Sequence, residues 1–250
     1  MKSDEIMDIA LRRGFIFPSS EIYGGISGFY DYGHLGTLMR RKWENAWRRH
    51  YLGLNPNFFE IDATNIMPKN VFVGSGHLEN FNDPLTECEK CHSRFRADHL
   101  VEEFLERSAE GMSAGEMSEL LKESGITCPK CGGHLLEVKM FNMMFEISVG
   151  ATGESEIAYL RPETAQGAFL AFKRSFNTLR GKLPMGLAII GRAYRNEISP
   201  RQGFYRLREF NQAELQVFFE PDNIEDHPDF DSIKDVKLRM FPLQNRATGE

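Results

Sequence analysis

Two apolar runs separated by a long polar segment place the strongest constraint on how this chain folds. Leu187 to Gly191 reads LAIIG and Ala213 to Phe219 reads AELQVFF, both with the β-branched and aromatic character of buried strands. Five arginines stand between Arg192 and Arg208, so the stretch predicts a strand, a long polar hairpin loop and a returning strand. Phosphates require a charge that does not titrate away and a rigid fork of donors. Arg195, Arg201, Arg206 and Arg208 could supply both. A solvated arginine loop has the same charge pattern, but Phe204, Tyr205 and Phe210 interleave with these arginines and offer flat surfaces for a base.

A chain of 250 residues that is 41% hydrophobic can bury a substantial core, as one large domain or one domain with an insertion. Its apolar runs fall short of the roughly eighteen residues of a membrane span. The start, Met1 to Ile9, is charged rather than a basic-then-apolar signal, so the expected location is the cytosol, with no membrane. The net charge of −6 argues against indiscriminate nucleic-acid binding. Local basic faces remain, one at Arg40, Arg41, Lys42, Arg48 and Arg49 and the other in the hairpin loop. The acidic stretch from Glu220 to Asp235 reads as solvated surface.

All four cysteines lie in two knuckles, CEKC at Cys88 and Cys91 and CPKC at Cys128 and Cys131. Two CxxC pairs offer the four thiolates of a tetrahedral zinc site; reduced free cysteines or a redox pair are the alternatives. Neither pair sits in the strand-to-helix setting of a redox motif, and disulfides are uncommon in the cytosol. The spacer of 36 residues carries its own helical hairpin, Asp98 to Ser108 and then a helix with a capping box at Ser113 and Glu116 that stops at Gly125. His92, His99 and His134 read as surface residues, since four thiolates complete the shell.

Elsewhere, helices are expected over 2–13, over 36–51 with Leu38, Trp43, Ala46 and Trp47 as its apolar stripe, and from Pro162 to about Phe176. A strand is expected over 58–67, stopping at Pro68, then a turn-rich stretch holding Ser75, His77 and Glu79. KMFNMMFEISVG alternates like a strand, its Met and Phe residues at 140–145 read as core, and Glu163 falls in a first helical turn where the helix dipole alone could explain it.

With these residues in view, the chain resembles a family. YRNE at Tyr194 to Glu197, inside GRAYRNEISPRQG and followed by YRLREFNQAE, is similar to motif 2 of class II aminoacyl-tRNA synthetases, and specifically of glycyl-tRNA synthetases. GFIFPSSEIYGGISGFYDYG, SGHLENFNDP, the first CxxC followed by RFRADHL, FNMMFEISVG and YLRPETAQG resemble that family in the same order. The resemblance runs from Gly14 to about Pro242.

It implies an α+β class II catalytic domain, a six-stranded or larger antiparallel sheet flanked by helices. The expected organisation is residues 1–86 with the motif 1 helix and strand, 87–135 as a four-cysteine zinc insertion, and 136–250 as the catalytic domain continued with motif 2. It implies a glycine–tRNA ligase that activates glycine with ATP and transfers it to tRNA(Gly), working with Mg2+ and as a homodimer through the motif 1 region. On the matching positions, Arg195 resembles the arginine that holds the α-phosphate and the amino-acid carboxylate. Asn196, Glu197, Tyr205, Arg206, Leu207, Arg208, Glu209 and Phe210 would line the ATP pocket, with Phe210 stacking on adenine. Arg96, Glu163, Phe210, Asn211, Gln212, Ala213 and Glu214 would surround glycine; Glu163 and Glu214 would pair with its ammonium. Taken alone, Glu214 could be a strand-edge carboxylate and Arg96 a solvated arginine.

Two departures stand out: His34 replaces the usual proline of a YGPLG passage, and nothing after Glu220 resembles motif 3 or an anticodon-binding domain. The resemblance therefore leaves two functions open, a ligase polypeptide whose chemistry needs the missing part, or a non-catalytic ATP or tRNA acceptor-stem binding fragment.

Overall fold

The computed structural model describes residues 3–150, 156–200, 203–225, 227 and 229–240; Arg201 lies outside them. In chain order the elements are α1 Ser3–Arg12, β1 Ile16–Pro18, β2 Tyr30–Tyr32, α2 His34–Tyr51, β3 Phe58–Glu60, β4 Ile66–Pro68, α3 Lys69–Gly74, α4 His77–Asn80, β5 Asn82–Glu87 and β6 Arg94–Arg96. They continue with α5 Ala97–Leu105, α6 Ala114–Glu123, β7 Lys139–Asn142, β8 Phe145–Val149, β9 Glu156–Leu160, α7 Ala165–Thr178, β10 Met185–Tyr194, β11 Glu209–Phe218 and α8 Phe230–Ile233. The fold is α+β, as expected.

The arginine hairpin is the central scaffold. β10 and β11 pair antiparallel over their full length, from Met185↔Phe218 to Tyr194↔Glu209. The strands reach further than the apolar runs, so Glu209 to Gln212 stand on a strand rather than in the loop. β3 joins the other edge of β10 in parallel. Among the described residues this sheet has three strands, ordered β11-β10-β3, where the resemblance implied six or more. α7 packs on it, burying Ala168, Ala171, Met185, Leu187 and Ile189 in one cluster; each large aliphatic here stabilises the fold by about 1.5–3 kcal/mol. Contact is close because Gly167 has no side chain: a Cβ there would lie 2.6 Å from Ala63 and 2.8 Å from Ile189.

Several expected elements divide differently. The strand expected over 58–67 is two short strands, because β3 pairs with β10 while β4 pairs with β9. KMFNMMFEISVG likewise splits into β7, paired with β5, and β8, paired with β9. The break is held by Asn142 Oδ1, which accepts from Met144 N–H at 2.9 Å. Met144 is buried, but Met140 is 53% exposed, so the 140–145 stretch is not uniformly core. The turn-rich passage contains the short helices α3 and α4. α7 begins at Ala165, three residues after Pro162, which leaves Glu163 ahead of the helix rather than in its first turn. Among the described residues nothing covers the apolar stripe of α2, since Leu38 and Trp43 are more than half exposed.

The cysteine insertion has its own core of Cys88, Phe95, Leu100, Val101, Met117, Leu121 and neighbours through Val138. Its sheet, β6-β5-β7, reaches from Asn82 to Asn142 and so anchors the unit in the strands on either side of 87–135. The capping box forms as expected, with Ser113 Oγ and Glu116 each accepting from the other's backbone N–H. The acidic stretch is solvated: its described residues from Glu220 to Asp235 are exposed.

Candidate active site and metal centre

Strand alternation sorts the residues of β11 onto two faces. Phe210, Gln212 and Glu214 share the face turned to the segment 162–164. Gln212 Oε1 accepts from the Thr164 N–H at 3.2 Å, and the Thr164 hydroxyl donates a short hydrogen bond to Glu214 Oε2. Thr164 precedes α7 but makes no side-chain cap; its hydroxyl is committed to Glu214. Asn211 and Glu209 lie on the other face. Asn211 Oδ1 accepts from Arg40 of α2 at 3.2 Å, and Glu209 is ion-paired with Arg192. Ala213 falls on that back face too, opposite Ile190. The structure thus brings only part of the expected glycine set to one place.

Arg195 stands at the mouth of the hairpin between two rings. Its guanidinium carbon is 5.4 Å from the Phe81 centroid and 5.3 Å from that of Phe210, and its Nε donates to the Pro162 carbonyl at 3.1 Å. That clamp orients the remaining guanidinium donors and adds cation–π attraction. Phe81 was not singled out for a role by the sequence, although it lies in the SGHLENFNDP passage. Arg208 is committed to the hairpin itself. Its Nε and Nη2 donate to the Glu197 carbonyl at 3.1 and 2.7 Å, and its Nη1 donates to the Ser27 carbonyl at 2.8 Å. Burial lowers the Arg208 pKa from the ordinary arginine range. Arg206 is 3.7 Å from Glu197; Asn196 is placed by its N–H, which donates to the Met143 carbonyl at 2.7 Å. Tyr205 is 67% exposed, and Leu207 lines a cavity of about 210 Å³ on the back of the sheet with Arg40, Arg192 and Tyr30.

Glu163 lies at the other end of the 162–164 segment, with Gln166 Nε2 donating to its Oε1 at 2.8 Å. Arg96 is not free. Its guanidinium holds Asp98 through two donors and Asp83 at 2.8 Å. Burial raises the Asp83 pKa against the pull of Arg96. At Asp98 burial pushes upward as well, but the hydrogen bond and charge of Arg96 prevail and the pKa is lowered. Asp83 also feels the charges of Glu197 and Arg206 from the hairpin loop.

Beneath the site is a buried arginine that no motif or periodicity in the sequence singles out. Arg161 is 1% exposed, and it donates to the carbonyls of Arg192 at 2.7 Å and Ala63 at 2.9 Å. Its own carbonyl accepts from Tyr194 N–H. Gly191 makes room for it, since a Cβ at that position would lie 2.2 Å from Arg161 Nη2. The only outward signal was the dipeptide Arg161–Pro162 in YLRPETAQG.

The four cysteine sulfurs lie within 4.8 Å of one another, with Cys88 to Cys131 at 3.5 Å and Cys91 to Cys128 at 3.6 Å. A tetrahedral shell with metal–sulfur bonds of about 2.3 Å has sulfurs about 3.8 Å apart, so the donor set fits such an ion. Ser93 hydrogen bonds pull the Cys91 thiol down to about 6. The Gly133 N–H favours the Cys131 thiolate, yet Cys91 and burial push that thiol up to about 12. Four sulfurs this close cannot all ionise unaided, and a cation among them would let each become a thiolate. Both knuckles turn through a left-handed residue after the second cysteine, His92 at φ 53 and Gly132 at φ 67. His92 is therefore a turn residue whose ring reaches Glu87 at 3.2 Å.

Residues 145–242 match the tRNA synthetase class II core domain of the G, H, P, S and T enzymes. Over 245 residues the chain is 52% identical to a glycine–tRNA ligase of Thermococcus sibiricus and to one of Pyrococcus horikoshii, covering 98% of this chain and 42% of each relative. A glycine–tRNA ligase of Methanococcus vannielii is 49% identical over the same spans. Over nearly its whole length the chain is similar to glycine–tRNA ligases, with the class II tRNA synthetase core matched over residues 145–242, and it spans 42% of the length of the curated relatives it matches.

Proposed function

We propose that this chain supplies the glycine and ATP end of a glycine–tRNA ligase, the enzyme that forms glycyl-adenylate and passes the glycyl group to tRNA(Gly). The observation that carries the reading is Arg195, clamped between Phe81 and Phe210 and tied through Pro162 to the segment bearing Glu163 and Thr164. One cation for anionic groups therefore sits beside carboxylates suited to an ammonium. In the first step a glycine carboxylate oxygen attacks the α-phosphorus of ATP, forming the acyl–phosphate bond as the bond to pyrophosphate breaks. Such chemistry needs alignment and charge neutralisation rather than a protein nucleophile.

In this reading Arg195 draws the carboxylate and α-phosphate together, and the free face of Phe210 receives the base. Glu163 and Glu214 hold the ammonium in a pocket that can reject a side chain by sterics. Arg206 is placed for the outer phosphates by giving up its loose pairing with Glu197. Mg2+ would accompany ATP and neutralise its phosphates. Among the described residues the cysteine cluster is the one grouping of three or more potential metal ligands, and Glu197 and Glu209 are already paired with arginines. No step is therefore assigned to Mg2+. We assign zinc to the four cysteines, as a structural ion.

Homodimerisation through α2 is part of the proposal, supported by the exposed Leu38, Met39 and Trp43 on its outer surface. No helix among the described residues is long and apolar enough to cross a membrane, and a cytosolic setting fits the tRNA substrate. Glycine-dependent exchange of pyrophosphate into ATP tests the reading. Exchange that requires glycine and disappears in Arg195→Ala supports it; ATP binding without exchange supports a non-catalytic fragment.

A further inference from the structure

Glu163 is held by a side chain that the reaction itself does not require. Gln166, 5% exposed, donates through Nε2 to Glu163 Oε1 at 2.8 Å. The same nitrogen lies 3.5 Å from His77 Nε2. A reversed amide would face two acceptor oxygens toward each other, so the chemistry fixes the NH2 on Glu163. With one amide hydrogen on the carboxylate, the other faces His77 Nε2, which must then present a lone pair. The imidazole proton belongs on Nδ1, where the Ser75 hydroxyl lies at 2.9 Å and accepts it. His77 Nε2 is itself 3.6 Å from Glu163 Oε1, beyond hydrogen-bond reach, so Gln166 is the group that contacts the carboxylate. The ring is fixed between Phe72 and Phe81, with centroids 6.2 and 5.5 Å away. Phe81 is the ring that carries Arg195.

Gln166 Oε1 is buried and has no hydrogen-bond partner among the described residues. A buried amide with one end unmet is costly, and it persists here because the other end is needed at Glu163. Glu163 Oε2 has no partner among the described residues, so it is the oxygen left for a ligand. We propose that Gln166, backed by His77 and Ser75, is the positioning residue that turns the Glu163 carboxylate toward the substrate amine and so sets affinity for a small primary ammonium. This rests on the functional reading above.

The test combines kinetics and nitrogen NMR, using the chain supplemented with the remainder of a Thermococcus sibiricus relative for pyrophosphate exchange and the chain alone for spectra. Gln166→Leu is expected to raise the KM for glycine about tenfold, the loss of one hydrogen bond to a charged group, with kcat and the KM for ATP within about twofold. His77→Phe should raise it less, and the double variant should be no worse than Gln166→Leu alone. The His77 ring should show a protonated Nδ1 and a bare Nε2, and Glu163→Gln should shift the Gln166 side-chain amide signals. An unchanged glycine KM in Gln166→Leu, or an Nε2-protonated His77, overturns this inference while leaving the functional reading standing. Absence of exchange from the unaltered protein overturns both.

Discussion

The guanidinium carbon of Arg195 lies 5.3 Å from the centroid of the Phe210 ring. A charged group that would meet phosphate is thereby oriented by the ring that would meet adenine, and Phe81 holds it from the other side at 5.4 Å. Replacing Arg195 with alanine should lower glycine-dependent exchange by about 10²–10³-fold, the usual scale for a donor aimed at developing charge. Arg195→Lys should fall at least about tenfold, because an ammonium neither stacks as a plane nor forks. Parallel exchange rates for the two variants check this.

Thr164 donates to Glu214 and fixes which way that carboxylate faces. Thr164→Val keeps the shape and removes the donor. The KM for glycine is expected to rise about five- to tenfold with little change in the KM for ATP, on the scale of one charge-assisted hydrogen bond. Steady-state exchange with each substrate varied in turn measures it.

Arg161 occupies space that Gly191 leaves open. Arg161→Met strands the carbonyls of Arg192 and Ala63 in the interior and should cost about 2–4 kcal/mol. Gly191→Ala should also destabilise the fold, by forcing the guanidinium aside. Since both act on one contact, the double variant should lose less than the sum of the two. Urea denaturation of the four proteins gives the cycle, and simple additivity would contradict the packing described.

The cysteine site predicts close to one zinc per purified chain. Removing it with a chelator should loosen the unit from Asn82 to Asn142 first, read as new protease cleavage between Cys88 and Cys131, because the bonds that tie the two knuckles through four sulfurs within 4.8 Å are lost. Metal content well below one per chain would count against the site. Gly132→Val should weaken metal retention more than His92→Gly, since only the first puts a β-branched residue at a left-handed φ of 67.

Periodicity and punctuation revealed the hairpin strands, the cysteine knuckles and the capping box of α6, because each is encoded within a few neighbouring residues. The splits between β3 and β4 and between β7 and β8 were not visible, since each pair joins different sheets and the sequence does not name partners. The site divided the same way. Arg195, Phe210, Gln212 and Glu214 were singled out by the motif, and the structure gathers them around the 162–164 segment. Asn211 and Ala213 fall on the opposite face of β11 from Phe210, Gln212 and Glu214, a period of two that a motif carried over as a run does not express. Phe81, Thr164, Arg161 and Gln166 were missed: their roles come from contacts across the fold, and each looks ordinary locally. Arg96 was expected near the glycine, and its pairing with Asp83 and Asp98 was not visible, because Asp83 reaches it across the β5–β6 sheet.

The central claim is that the Arg195 hairpin and the 162–164 segment form the glycine and ATP site of a ligase. It is tested most directly by glycine-dependent ATP–pyrophosphate exchange, with and without an added carboxy-terminal part from a curated relative. The account predicts exchange that needs glycine, is supported or strengthened by the added part, and falls about 10²–10³-fold in Arg195→Ala. No exchange under either condition, from protein that still binds ATP, would contradict it.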